Sequence, residues 1–162
     1  MTQFTQVAQD FAQVTALLTA FVQQFDSDYT VELGADFDCV NDECLIHYAV
    51  AMPDDGARRF FADFTQRFPA CTDFDVFTLS FMHEVGHVET EYDMVNDTAQ
   101  LNKIQKMKDK DKAYRAYYAL YNERIATDWA GEYLTANHEQ MKTWEKKFLA
   151  LFKKVLDKYP DV

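Results

Sequence analysis

The sequence predicts an α+β fold, mainly helical, with a small antiparallel sheet in its first third. Apolar residues recur at helical spacing over most of the chain. One stretch, about residues 29–52, instead carries Val, Ile, Tyr and Phe in partial alternation, the pattern of strands. With Gly 4 and Pro 3 in 162 residues there are few places for tight turns, which favours long helices. That length suits a single domain over 1–162, and 48% hydrophobic residues are enough to build its core.

The first segment sets Phe4, Val7, Phe11, Val14, Leu18, Phe21 and Phe25 at steps of three and four. That is one helix with an apolar seam, which packs on its own domain or, alternatively, pairs with a second copy in a dimer. Residues 29–40 and 43–52 read as a β-hairpin turning at Asn41-Asp42, closed by Pro53-Asp54-Asp55-Gly56. A helix over residues 57–68 stops at Pro69. Asp73 or Asp75 then caps a helix that runs to about Val88, with Phe77, Phe81, Val85 and Val88 on its apolar face. Residues 89–97 form an acidic loop, and the lysine-rich residues 103–112 read as a solvated face. A long helix over about 113–136 and a last one over about 138–159 complete the chain. The last carries Met141, Trp144, Phe148, Phe152, Val155 and Tyr159 in one stripe.

A net charge of -11 repels phosphate backbones, so nucleic acid is not an expected partner. No apolar run approaches membrane-spanning length, and no membrane partner is expected. The N-terminus lacks the basic start and apolar middle of a secretion signal. Cys39, Cys44 and Cys71 form neither an even framework nor a CxxC pair. They read as reduced thiols, and the expected compartment is the cytoplasm.

The chemistry concentrates in His83-Glu84-Val85-Gly86-His87, an HExxH sequence within the helix capped by Asp73 or Asp75. Side chains at i and i+4 share a helix face, so two imidazoles can converge on one zinc ion. Glu84 is turned to the side of that face, where it takes a proton from an activated water instead of ligating the metal. Gly86 lets another element approach closely. With His 4 in the whole chain, two of them flanking a Glu at this spacing is unusual by chance.

A catalytic zinc needs a third protein ligand. In the metzincin pattern, HExxHxxGxxH, the third ligand position falls on Asp93, but Thr90 stands where the turn needs glycine. Glu91 in the same loop is weaker still. The gluzincin pattern takes a Glu from a later helix, and residues 121–130 supply one. Glu123, Ala126 and Ala130 share a stripe there, and the two alanines permit close helix approach. Glu123 is therefore preferred and Asp93 kept as the alternative. Thr127 or Asp128 could accept the free N–H of a ligand histidine. Tyr117, Tyr118 and Tyr121 precede Glu123 and could offer a donor to an oxyanion, although core packing suits each of them as well. His47 and His138 read as structural.

An HExxH helix followed by E-x-x-A-x-x-W-A resembles the ImmA/IrrE-type gluzincins of phages and mobile elements, and more closely their minimal prophage-encoded relatives. Glu123, Ala126, Thr127, Trp129 and Ala130 carry the second half of that resemblance, which spans roughly residues 74–136. The segment between the helices is longer than in the shortest members. The resemblance implies a zincin-like fold, a Zn2+ cofactor held by His83, His87 and Glu123, and Glu84 as general base. The expected function is zinc-dependent hydrolysis of a peptide or protein substrate. The alternative is an inactive or structural zinc module that binds a protein partner.

Overall fold

Two consecutive helices open the chain, α1 (Gln3–Asp10) and α2 (Ala12–Val22). The structure, a computed structural model, describes residues 3–50 and 54–159; of residues 3, 4 and 54 it describes the backbone alone. The expected single N-terminal helix is interrupted only locally. Phe11 N–H still donates to Val7 and Thr15 N–H to Phe11, at 3.1 and 2.9 Å. Its seam is buried at Phe11, Val14, Leu18 and Phe21. Phe4 lies outside the described side chains, and Phe25 follows the helix end, its ring against Trp129 and Tyr133. The seam packs inside this domain, with Phe11 against Phe152 and Phe21 against Trp144.

The sheet differs from the expected antiparallel hairpin. Its strands are β1 (Thr30–Leu33), β2 (Asp38–Val40) and β3 (Leu45–Tyr48), in the order β1-β3-β2. β2 and β3 do form an antiparallel pair around a 3-10 turn at Asn41–Glu43. β1, however, pairs parallel to β3, with Thr30 opposite Leu45 and Leu33 opposite Tyr48. Residues 29–40 are therefore two strands on opposite sides of β3. Gly34 makes the crossing possible, because a Cβ there would stand 2.9 Å from the Cβ of His47. Residues 51–53, where the hairpin was expected to close at Pro53, lie outside the described residues.

α3 (Asp54–Arg67) stops before a 3-10 turn at Pro69–Cys71, as Pro69 requires. Next comes α4 (Val76–Glu89), capped by Asp75, whose carboxylate accepts from Phe77 N–H at 2.8 Å. Every residue from Phe77 to Val88 is buried. An amphipathic helix was expected; instead α4 is central, with α3, β2, β3 and a later helix packed around it.

The expected solvated lysine segment contains the end of α5 (Thr98–Gln105) and the start of α6 (Lys110–Tyr118). The expected long helix over 113–136 is also divided. α6 ends at Tyr118, and α7 (Tyr121–Ala136) starts after Leu120, whose backbone is extended at φ -57° and ψ 143°. No Pro or Gly marks that break. Leu120 is buried there, and the turn lets α7 follow its own direction along α4. α8 (His138–Leu156) closes the fold. Its buried Glu145 accepts from Asp75 N–H, Thr78 Oγ1–H and Lys142 Nζ–H at 2.8, 2.6 and 2.6 Å. Stacked Trp144, Phe148 and Phe77 continue that attachment. No helix among the described residues is long and apolar enough to cross a membrane.

Candidate metal centre

The centre forms where α4 and α7 cross. A Cβ at residue 86 would collide with the backbone of Ala126, so only glycine permits this closeness. The crossing brings Glu123, in the first turn of α7, onto the histidine face of α4. Its Oε2 lies 2.8 Å from His83 Nε2 and 3.2 Å from His87 Nε2, and all three side chains are buried. The other nitrogen of His83, Nδ1, is 2.9 Å from Thr127 Oγ1, one turn along α7 from Glu123. The rings of Phe60 and Tyr118 pack against His83.

Glu84 completes the group. The ligand atoms of His83, Glu84 and His87 lie within 4.8 Å of one another, so these buried residues could hold a metal ion. Glu84 differs from Glu123 in bonding to neither imidazole. It is 7% exposed and makes no hydrogen bond among the described residues. It faces a cleft of about 200 Å³ that is also lined by Phe37, Asp38, Cys39, Asn41, His87, Met94, Asp97, Leu101, Tyr117, Asn122 and Glu123.

The electrostatics separate the two glutamates. Burial pushes Glu84 above the usual carboxylate range, and the nearby histidines offset this only in part. Burial would raise Glu123 too, but its hydrogen bonds to His83 and His87 hold it far below that range. Burial would lower His87, yet the Glu123 carboxylate beside it keeps it above its ordinary value. Tyr117 is pushed well upward by burial and by Glu123, so its hydroxyl keeps its proton.

The expected site residues fall into two sets. His83, Glu84, His87, Glu123 and Thr127 come together. Asp93 does not: it is exposed in a 3-10 turn, Glu91–Asp93, that continues directly from the end of α4. Thr90 ends the helix with its hydroxyl on Gly86 O, and Glu91 accepts from Tyr29 O–H at 3.3 Å, so the loop is held on another side. Asp128 pairs with Arg67, away from the histidines. Tyr121 is 42% exposed, with Arg124 over its ring. Tyr118 packs on His83, and Tyr117 is the tyrosine of the three that lines the cleft. His47 and His138 bond to Asp38 and Asp73.

Sequence reasoning missed Asn41 and Asn122. Asn41 Nδ2 donates to the His87 carbonyl at 3.1 Å and to Tyr29 Oη at 2.9 Å, tying the sheet to the end of α4. Asn122 accepts from Val95 N–H and donates to Val95 O, both at 2.8 Å, which fixes the loop over the cleft. A polar residue beside Glu123 at a helix start was the only sign of the second, and nothing local marked the first. No protein-family model matches the chain, and no curated protein or solved structure matches it either.

Proposed function

We propose that the chain is a zinc-dependent peptidase of gluzincin-like design, with His83, His87 and Glu123 as ligands and Glu84 as general base. One observation carries the reading: three buried donor atoms from two helices converge beneath a cleft into which an unpaired carboxyl faces. Ligands at about 2.0–2.1 Å around a tetrahedral zinc lie roughly 3.3 Å apart. The observed 2.8 and 3.2 Å separations are close to that, so the donors suit the ion with little movement. Two imidazoles and a carboxylate are also a donor set that zinc accepts readily. Thr127 supports the choice: with the His83 Nδ1 proton donated to its Oγ1, 2.9 Å away, Nε2 would be free to ligate. The resemblance of the two helices to ImmA/IrrE-type gluzincins points the same way.

Zinc, when bound, supplies Lewis acidity toward a scissile carbonyl and toward water. The chain's own groups do the rest. Glu84 takes a proton from the attacking water as its oxygen bonds to the carbonyl carbon. It then delivers that proton to the amine as the C–N bond breaks. The upward shift of Glu84 brings its acidity nearer neutral pH, where both transfers are balanced. Tyr117, which keeps its proton and lines the cleft beside Glu123, would be a donor to a developing oxyanion.

The test is metal analysis joined to a peptide-library digest. One zinc per chain is expected, with cleavage that Glu84→Gln abolishes while zinc stays bound. Cleavage that survives Glu84→Gln would trace to a contaminant and sink the reading. Zinc without any cleavage would favour a module that binds a protein partner.

A further inference from the structure

The cleft carries more negative charge than its proposed chemistry requires. Glu84 and Glu123 together would balance a divalent cation. Asp38 on β2 and Asp97 just before α5 also line the space, and no lysine or arginine among the described residues does. Asp97 accepts from the neutral Asn122 amide at 3.2 Å, which orients it without cancelling its charge. Asp38 is held by His47 at 2.6 Å and is 54% exposed. A second feature points to a ligand independently. Glu84 is more than nine-tenths buried, has no hydrogen-bond partner among the described residues, and faces this same space. Phe37, Met94 and Leu101 supply an apolar wall, and Met94 is 37% exposed.

An anionic mouth with an apolar wall fits a long cationic side chain, whose methylenes lie on the wall while its head meets the carboxylates. We propose that the cleft selects peptides carrying a lysine or arginine side chain, with Asp38 and Asp97 as the specificity-determining pair and Met94 and Leu101 as the surface for the aliphatic stem. This rests on the peptidase reading of the same site.

Binding is tested apart from cleavage with zinc-loaded Glu84→Gln protein. Three labelled peptides, identical except for a central Arg, Gln or Glu, are titrated by fluorescence anisotropy. Two partly exposed charge pairs together give roughly five- to tenfold tighter binding of the Arg peptide over the Gln peptide, with the Glu peptide weakest. That gap is expected to shrink as salt is raised. It is expected to vanish in a background also carrying Asp38→Asn and Asp97→Asn, and to persist in a control carrying Glu132→Gln and Glu139→Gln, an equal loss of charge at exposed positions on α7 and α8. If the double change does not fold, Asp38→Asn alone, at an exposed position, should reduce the gap about twofold. Equal binding of the three peptides overturns the proposal. So does an Arg preference that survives both substitutions, because overall acidity would then explain it. An Arg preference in the Glu84→Gln protein without any cleavage by the native protein would uphold this inference and remove the peptidase reading.

Discussion

Glu123 and His87 shift in opposite directions because each stabilises the other's charge, and the consequence is a defined pH response. Glu123 has a folded-state pKa below its unfolded value of about 4.3. Its contribution to stability is therefore present above that value and lost as pH falls through the folded one. His87 has a folded-state pKa above its unfolded value of about 6.5. Its contribution is complete below that value and lost as pH rises through the folded one. The chelator-treated protein should gain most from this pair between those limits. Zinc must displace the His87 proton, so affinity should weaken as pH drops, with protons released on binding. Calorimetry in two buffers of different ionisation enthalpy measures that release, and identical heats below neutral pH would contradict the assignment. By chelator competition, Glu123→Gln should weaken zinc binding by more than about a hundredfold, and Thr127→Val by about tenfold through His83.

Between elements, the α4–α7 crossing and the α4–α8 attachment do different work. Gly86→Ala forces a methyl group into the Ala126 backbone, at an expected cost of about 1–3 kcal/mol in urea unfolding. Because the crossing also sets the Glu123–histidine distances, zinc affinity should fall with it. Glu145→Ala leaves the Asp75 N–H and the Thr78 hydroxyl without their shared acceptor, at an expected cost of about 2–3 kcal/mol. It acts at the far end of α4 from His87, so zinc affinity should stay within about twofold of the native value in folded protein. A Glu145→Ala variant that binds zinc much more weakly would show that the two ends of α4 are coupled.

Across the whole molecule, a metal bound between the crossing helices α4 and α7 would link binding to global stability. Free zinc at about a thousand times its dissociation constant adds roughly 4 kcal/mol. For a domain of 162 residues that corresponds to a rise of about 8–16 °C in melting temperature, reversed by chelator. Circular dichroism melts with and without zinc check this, and an unchanged midpoint would mean that the donors do not bind the ion in the folded state. The N-terminal seam buries Phe11, Val14, Leu18 and Phe21 within the chain's own core.

The sequence alone determined what depends on neighbours within a turn or two. His83 and His87 share a face because four residues make about one helical turn, and the cap of α4 was confined to Asp73 or Asp75, of which Asp75 reaches the free N–H two residues on. Glu123 was identifiable as a candidate because its alanine stripe is also a local pattern. Its meeting with His87 across 36 positions, in place of the nearby Asp93, was decided by the crossing of α4 and α7. So was the cleft, which Asn41 and Asn122 assemble from the sheet, the loop and α7. The parallel pairing of β1 and the break at Leu120 belong with these. Neither has a Pro or Gly signature sufficient to reveal it, and each follows from which surfaces the rest of the chain leaves to be buried. Local periodicity specifies which side chains share a face; only the packed molecule specifies which faces meet.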